Sequence, residues 1–354
     1  MAEENVNLKS KTRSPLLVLG IESSCDETAA AVVSNDFRIL SNIVGSQFEH
    51  HRPYGGVVPE LAARAHVQTI DIIVSRAIAE AGVSFGELNA VAATGGPGLI
   101  GGVIVGATFG KALALANRIP FLAVNHLEGH ALTARLTDQL DFPYLLLLVS
   151  GGHSQILIVE DVGSYKLLGT TLDDAVGEAF DKIAKLLGID MPGGPNLEKL
   201  ALRGDPKKYH FPRPLLGRPD CNFSLSGLKT AVRYKISKLC NISSQDKADI
   251  SASFQKAVCD VIVDRCSNAI DKCQLDSSKN FSFVVAGGVA ANESIRTALQ
   301  TLSHRKGVKF IAPPISLCTD NAAMIAWAGV ERFNKGDFDG FDFLPRPRWP
   351  LDNS

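Results

Sequence analysis

No two of the seven cysteines in this 354-residue chain stand as a CxxC pair. An odd count without paired spacing, in a chain of this length, argues against a disulfide scaffold or a cysteine-only zinc site. Cys259, Cys266 and Cys273 recur every seven residues, on one helical face, and read as small buried hydrophobes. No uninterrupted run of 18 apolar residues is available to span a membrane. The opening MAEENVNLKSKTRSP has no apolar signal core and carries Glu3 and Glu4, which suits a transit peptide poorly. A cytoplasmic protein without a membrane partner is expected, with the mitochondrial matrix as second choice. Charge of one sign is also lacking: 36 Lys+Arg stand against 37 Asp+Glu. That excludes a globally basic nucleic-acid binder and leaves room for a local basic patch. No GxxxxGK[ST] stretch occurs, so the chain is not a P-loop protein.

What remains is an ordered, 45% hydrophobic chain, long enough for about two domains. Apolar runs and turns predict strands at 16–21, 29–33 and 39–44, a helix over 61–82, a strand at 90–93, a small-residue helix over 101–117 and a strand at 121–124. The same order then recurs. Strands are expected at 144–149, 155–159 and 165–169, helices over 175–188 and 246–273, and a strand at 282–286. A helix from 293, a strand at 310–311 and a final helix over 321–333 complete the series. Three strands, helix, strand, Gly-Gly turn, helix and strand, twice over, read as a duplication. The expected fold is therefore two similar α/β lobes facing each other across a cleft, where ligands usually sit. A tail over 1–14, a first lobe over 15–135 plus 310–354, and a second lobe over 136–309 with an insertion at about 190–245 follow.

Each lobe offers a turn of small residues, Ser23-Ser24 in the first and Ser150-Gly151-Gly152 in the second. Such turns present backbone N–H groups to an anion, and as a facing pair they suit nucleotide phosphates; each alone also fits a simple hairpin. Gly287-Gly288 closes a strand ahead of Asn292, which serves either as a helix cap or as a ligand contact. Thr94-Gly95-Gly96-Pro97-Gly98 is its repeat partner. His126 and His130, at i and i+4, project from one helical face and fit either a shared metal ion or an ordinary histidine pair. Asp320, at a strand-to-helix junction, fits a third ligand or a cap. Two imidazoles and one carboxylate leave coordination positions open, and zinc, iron and magnesium are all arguable. A metalloprotease is rejected, because Leu127 follows the first histidine where that motif needs glutamate, and Glu128 points off the histidine face. Between Arg203 and Lys238 nine basic residues meet only Asp205 and Asp220, a local +7. Tyr209, His210, Phe211, Phe223 and Tyr234 lie among them. An RNA or phosphate partner is the expectation; a solvated basic face is the alternative.

Several segments together resemble one family. They are Gly20-Ile21-Glu22-Ser23-Ser24-Cys25-Asp26-Glu27-Thr28, the His126/His130 segment, Leu148-Val149-Ser150-Gly151-Gly152-His153, Gly177-Glu178-Ala179-Phe180-Asp181-Lys182, Pro192-Gly193-Gly194-Pro195 and Phe223-Ser224-Leu225-Ser226-Gly227-Leu228-Lys229-Thr230. In that order they resemble the TsaD family, which forms threonylcarbamoyl-adenosine at position 37 of tRNA. The departures are mild: Ser23 where threonine is common, and Leu225 where phenylalanine often stands. The resemblance implies two duplicated lobes like actin, Hsp70 and sugar kinases. It implies a divalent metal ion, usually Fe2+ in bacterial members, on His126, His130 and Asp320. Leu148, Val149, Ser150, Gly151, Gly152, Asp181, Gly194 and Asn292 would bind the adenylate of threonylcarbamoyl-AMP. Asp181 suits a ribose-hydroxyl acceptor, and Gly194 permits close approach of the sugar.

The implied reaction moves the threonylcarbamoyl group to N6 of adenosine 37 in tRNAs reading codons that start with A, releasing AMP. Asp26 or Glu27 is the candidate proton acceptor. The tRNA anticodon stem-loop would approach over the basic insertion. Bacterial members work with the partner proteins TsaB and TsaE, mitochondrial ones alone as dimers. Two readings of other classes share the scaffold: an ATP-dependent small-molecule kinase and a nucleotide-gated binding protein.

Overall fold

The computed structural model describes residues 15–276 and 281–352, so the tail expected over 1–14 lies outside the described residues. The first sheet is built from β1 (Leu17–Glu22), β2 (Glu27–Ser34), β3 (Ile39–Ser46), β4 (Ala90–Gly96) and β5 (Phe121–Asn125). Between β3 and β4 come the one-turn α1 (Phe48–His51) and α2 (Pro59–Ala81); α3 (Ile100–Asn117) joins β4 to β5. After α4 (His126–Asp138), the second sheet collects β6 (Tyr144–Val149), β7 (Ser154–Asp161) and β8 (Ser164–Thr170). Then α5 (Val176–Leu186), α6 (Gly193–Ala201), α7 (Ser226–Ser237) and α8 (Ser244–Asp276) lead to β9 (Ser282–Ala286). The chain closes with α9 (Glu293–Lys306), β10 (Lys309–Ile311), the one-turn α10 (Ile315–Cys318) and α11 (Ala322–Lys335).

Strand order is β3-β2-β1-β4-β5 in one sheet and β10-β9-β6-β7-β8 in the other. In each, the first strand pairs antiparallel with the second and parallel with the fourth. The two orders are the same topology, so the duplication legible in the sequence is a duplication of fold. β10 pairs with β9, which carries the second sheet through Ile311, two residues past the division drawn at 309.

Both central strands are buried along their whole length, as unbroken apolar runs require when helices cover each face of a sheet. On the outer side of the first sheet, Leu19, Ile21 and Val91 pack with Ile70, Ile73 and Val74 of α2. On the outer side of the second, Leu145 and Leu147 pack with Phe254, Val258 and Ile262 of α8. Between the sheets, α4 and α11 share one apolar layer that includes Val18 and Ala92 from one sheet and Leu146 and Val284 from the other. Cys259, Cys266 and Cys273 lie buried in the second-lobe core, as expected. Helix α3 is long and apolar enough to cross a membrane by length and composition; here its small-residue side (Gly102, Gly106, Ala107, Gly110) is buried.

Two close approaches fix the first lobe. A Cβ at Gly20 would stand 2.4 Å from Ala322 O and 2.5 Å from Ala326 N, so α11 lies directly on β1 at that point. Gly96 has φ +133°, and a Cβ there would stand 1.8 Å from Arg346 O. The Gly95-Gly96 turn, read as the counterpart of the Gly287-Gly288 ligand turn, is therefore filled by the chain's own C-terminal segment. Gly288 has nothing within 4 Å of its Cβ position. The Gly20→Ala variant, which forces α11 off β1, should lose about 3 kcal/mol of stability in chemical denaturation. An unchanged midpoint would contradict this packing.

Candidate active site at the inter-lobe cleft

Strand β1 ends on Glu22, a carboxylate 1% exposed. Its Oε1 accepts from Ser24 N–H (2.5 Å), and its Oε2 accepts from Thr94 Oγ1 (2.6 Å) and faces His126 Nδ1 at 2.9 Å. Burial pushes this carboxyl up; the charge and hydrogen bond of His126 outweigh it and hold Glu22 below the usual range. His126 opens α4 directly after β5, where Asn125 caps the helix by accepting from Leu127 N–H at 2.9 Å. His130 follows one turn on, its ring edge-on to His126 with centroids 4.9 Å apart.

Asp320 arrives from the other end of the chain. It is not the cap of α11: Asn321 takes that role by accepting from Met324 N–H at 3.1 Å. Asp320 Oδ1 therefore faces His126 Nε2 at 3.5 Å and His130 Nε2 at 3.3 Å. One ligand atom from each of the three lies within 4.8 Å of the others.

The donor set fits a cation on physical grounds. With Glu22 accepting from Nδ1–H, a neutral His126 aims its Nε2 lone pair at the Asp320 carboxylate. Two lone-pair atoms meet there, unless a proton or a metal ion lies between them. The same demand holds His126 up to about 9: burial lowers it, and Glu22 and Asp320 raise it further. Glu27 is pushed up to about 9 by burial and by the Asp320 and Asp26 carboxylates. His130 Nδ1 is buried and has no hydrogen-bond partner among the described residues. The cluster thus carries more negative charge than its own groups compensate, a deficit that a bound metal ion would meet. A carboxylate behind a ligating imidazole is the usual outer-shell partner, fixing tautomer and orientation. Sequence reasoning missed Glu22, although one charged residue ending an otherwise apolar strand was the available signal.

These residues open on a cavity of about 630 Å³ between the lobes. Its lining includes Glu27, His126 and Asp320 on one side and Ser150, Gly151, Gly152, His153 and Gly288 on the other. Cβ positions at Gly151 and Gly152 meet nothing within 4 Å, so their backbone is open to a ligand. The Ser23-Ser24 turn meets the same cavity through Ser24 and is otherwise packed. Ser23 Oγ donates to Gly102 O (2.9 Å), a Cβ at Gly102 would stand 2.3 Å from Ser23 O, and the turn is buried under α3. The two turns therefore face one cavity unequally: an open turn in the second lobe, and a packed turn that supports Glu22 and reaches the cavity at Ser24.

The other expected contacts are grouped in the second lobe, beyond that lining. Leu148 and Val149 are fully buried in β6, leaving only backbone for a ligand. Gly177 N–H donates to Ser150 O (3.3 Å), so α5 starts on the open turn. Asp181 lies one turn along α5, and its Oδ1 accepts from Gly194 N–H at 3.0 Å. Asn292 caps α9 through Ile295 N–H (3.0 Å) and donates to Gln255 Oε1 (3.0 Å), so capping is its structural role. Of the acidic pair at the first-lobe loop, Glu27 lines the cavity; Asp26 sits beside it with its carbonyl accepting from Gln47 N–H. Glu128, off the histidine face, accepts from Tyr165 O–H (2.7 Å) and Gly163 N–H (3.1 Å).

The family model described as TsaD, tRNA N6-adenosine threonylcarbamoyltransferase, matches residues 38–327. A Brucella suis protein named tRNA N6-adenosine threonylcarbamoyltransferase is 60% identical over 341 residues, 95% of each chain. The chain belongs to the TsaD family. Its activity is that of the family, transfer of a threonylcarbamoyl group to a tRNA adenosine. Among solved structures, HypF from T. kodakarensis matches with TM-score 0.60 at 15% identity, over 92% of this chain and 50% of that one. A component of an Acidaminococcus fermentans (R)-2-hydroxyglutaryl-CoA dehydratase matches with TM-score 0.51 at 16% identity, over 88% and 96%. These likenesses speak to the fold alone, the duplicated two-lobe architecture of actin, Hsp70 and sugar kinases. The kinase and gated-binding readings are not favoured by the relatives' names.

A Glu22→Gln variant should bind a divalent ion about 10- to 100-fold more weakly in a competition titration, with the fold retained by circular dichroism. Unchanged affinity would show that His126 needs no carboxylate behind it.

Proposed function

We propose that the cleft binds threonylcarbamoyl-AMP with its adenosine in the second lobe and its acyl arm toward the histidine pair. We propose adenosine 37 of tRNA as the acceptor. The observation that carries this reading is one cavity shared by the open Ser150–Gly152 turn and the His126, Asp320 side. Asp181 accepts from a ribose hydroxyl, Gly194 admits the sugar, and Asn292 approaches the base from the α9 cap. The N–H groups of Gly151 and Gly152 hold phosphate or developing oxyanion charge.

His126, His130 and Asp320 would hold a divalent ion, for which Fe2+ is the family precedent; Zn2+ suits the two imidazoles equally well and Mg2+, which prefers oxygen, less. Such an ion supplies Lewis-acid polarisation at the acyl or phosphate oxygens. The adenine amine is a weak nucleophile because its lone pair is delocalised into the ring, so the two lobes must hold it in line with the carbonyl. Glu27 is the acceptor of the N6 proton once a cation beside Asp320 offsets the negative charge that keeps its carboxyl protonated; it lines the cavity and Asp26 does not lie in that lining. Metal-replete protein with synthetic threonylcarbamoyl-AMP, unmodified tRNA and the bacterial partner proteins TsaB and TsaE should form the modified nucleoside. The Glu27→Gln variant should lower kcat by about 10²- to 10⁴-fold. Absence of product from the unaltered protein would overturn the reading, and full activity of Glu27→Gln would overturn the proton assignment.

tRNA approaches over the second lobe, and the reaction belongs in the cytoplasm, where its substrate is. Of the basic insertion, Phe211 and Phe223 are core residues, Arg213 is paired with Asp260, and Lys229 is paired with Asp174. Tyr234 is exposed beneath Lys238, at 4.2 Å from its ring centroid. The cations that converge are Lys182 and Lys185 of α5 with Lys229 and Arg233 of α7, along a groove of about 350 Å³. Lys185 and Arg233 make no ion pair among the described residues. Replacing both by Gln should reduce the slope of log Kd for tRNA against log salt by about 2. An unchanged slope would move the RNA track elsewhere.

A further inference from the structure

The segment after α11 returns across the cleft mouth as a strap, Phe343–Pro350, pinned to the first lobe. Lys111 Nζ donates to Phe343 O, Arg346 N–H to Gly95 O (2.8 Å), Gly98 N–H to Pro347 O (3.3 Å), and Asn125 Nδ2 to Trp349 O (3.0 Å). The Arg346 guanidinium is spent on two rings, 5.3 Å from Phe343 and 4.8 Å from Trp349. Gly95 and Gly96 are cut away to let this strap approach. Its rigidity fixes where the next arginine goes. Arg348 lines the cavity together with Glu27, His126 and Asp320, is exposed, and has no hydrogen bond or ion pair among the described residues. No other lysine or arginine is among the described residues lining that cavity.

Resting on the donor placement proposed above, we infer that Arg348 is a specificity-determining residue that takes the free carboxylate of the threonyl group. The argument is one of charge placement. The acyl donor carries two separate anions, a bridging phosphate and an amino-acid carboxylate. The open turn of the second lobe serves the phosphate when the adenosine lies along α5 and α6. The acyl arm then points to the first lobe, whose cavity wall carries the carboxyl groups of Glu27 and Asp320. Apart from the ion proposed on the histidine pair, a carboxylate entering that surface has one cationic side chain with unspent donors to meet among the described residues, and the strap holds it. The guanidinium fork matches a carboxylate in two parallel hydrogen bonds, which a phosphate-directed lysine would not distinguish. Arg348 thereby selects donors built on an amino acid with a free α-carboxylate.

The test compares two synthetic donors on the metal-loaded full chain with its partner proteins: threonylcarbamoyl-AMP and the same compound with threonine amide in place of threonine. Arg348→Gln should raise KM for the carboxylate donor about 10- to 100-fold, with kcat nearly unchanged. On the amide donor it should change KM less than about threefold, and Arg348→Lys should recover part of the loss on the carboxylate donor. Calorimetric binding of non-transferable sulfamoyl analogues of both donors reads the same contrast without turnover. The outcome for Arg348 is thus separable from failure of the transferase reading, which absence of product from unaltered protein would signal. Equal losses on both donors, or no loss on either, would overturn the assignment. A rise in KM for tRNA with donor KM unchanged would also overturn it, placing Arg348 on the nucleic-acid backbone instead.

Discussion

One buried carboxylate organises this cleft. Glu22 ends the central strand of the first sheet, and its two oxygens tie together the Ser24 turn, Thr94 of the neighbouring strand and the imidazole of His126. A carboxylate so deeply buried persists only when every lone pair has a partner. The requirement runs outward from there. The Ser23-Ser24 turn must pack tightly under α3, which is why Gly102 stands where any side chain would strike Ser23. His126 must present Nδ1 inward and Nε2 outward. Asp320 then faces that outward nitrogen and its neighbour on His130, and the site asks for a cation.

The two lobes have the same topology and different tasks. Equivalent turns follow their central strands, yet the first is buried as support and the second is bare backbone facing the cavity. Equivalent Gly-Gly turns follow their fourth strands, yet the first receives the protein's own strap and the second stays open at Gly288. Duplication gave matching scaffolds, and packing decided which copy of each turn remained free for a ligand. The division places the histidine pair and Asp320 in the first lobe and the open Ser150–Gly152 backbone in the second. A donor that bridges them draws its reacting carbon to the interface.

Much of this was legible in the residues. Apolar runs of six, small-residue turns and helical spacing located the ten strands and the long helices to within a few residues, because central strands buried on both faces leave an unbroken signature; α6 and α7, inside the stretch read only as an insertion, were not expected as helices. The i, i+4 histidines were legible for the same reason, since helix geometry makes them neighbours. Asp320 was visible only as a junction residue; that Asn321 would cap α11 and free it is a matter of three-dimensional competition between adjacent side chains. The packed state of Ser23-Ser24 was not legible, because the sequence of a turn does not reveal which helix will lie over it. Arg348 escaped attention for a similar reason: its neighbours in the cleft, Glu27 and His126 among them, come from distant parts of the sequence, and it meets them by way of a strap whose anchors are mostly backbone groups.

The most direct measurement is a crystal structure of the metal-loaded protein with a non-transferable threonylcarbamoyl-adenylate analogue. The account predicts an ion on His126, His130 and Asp320, adenosine beside Asp181 and Gly194, and the phosphate or its mimic on the N–H groups of Gly151 and Gly152. An ion bound elsewhere, or an adenosine seated in the first lobe, would contradict it.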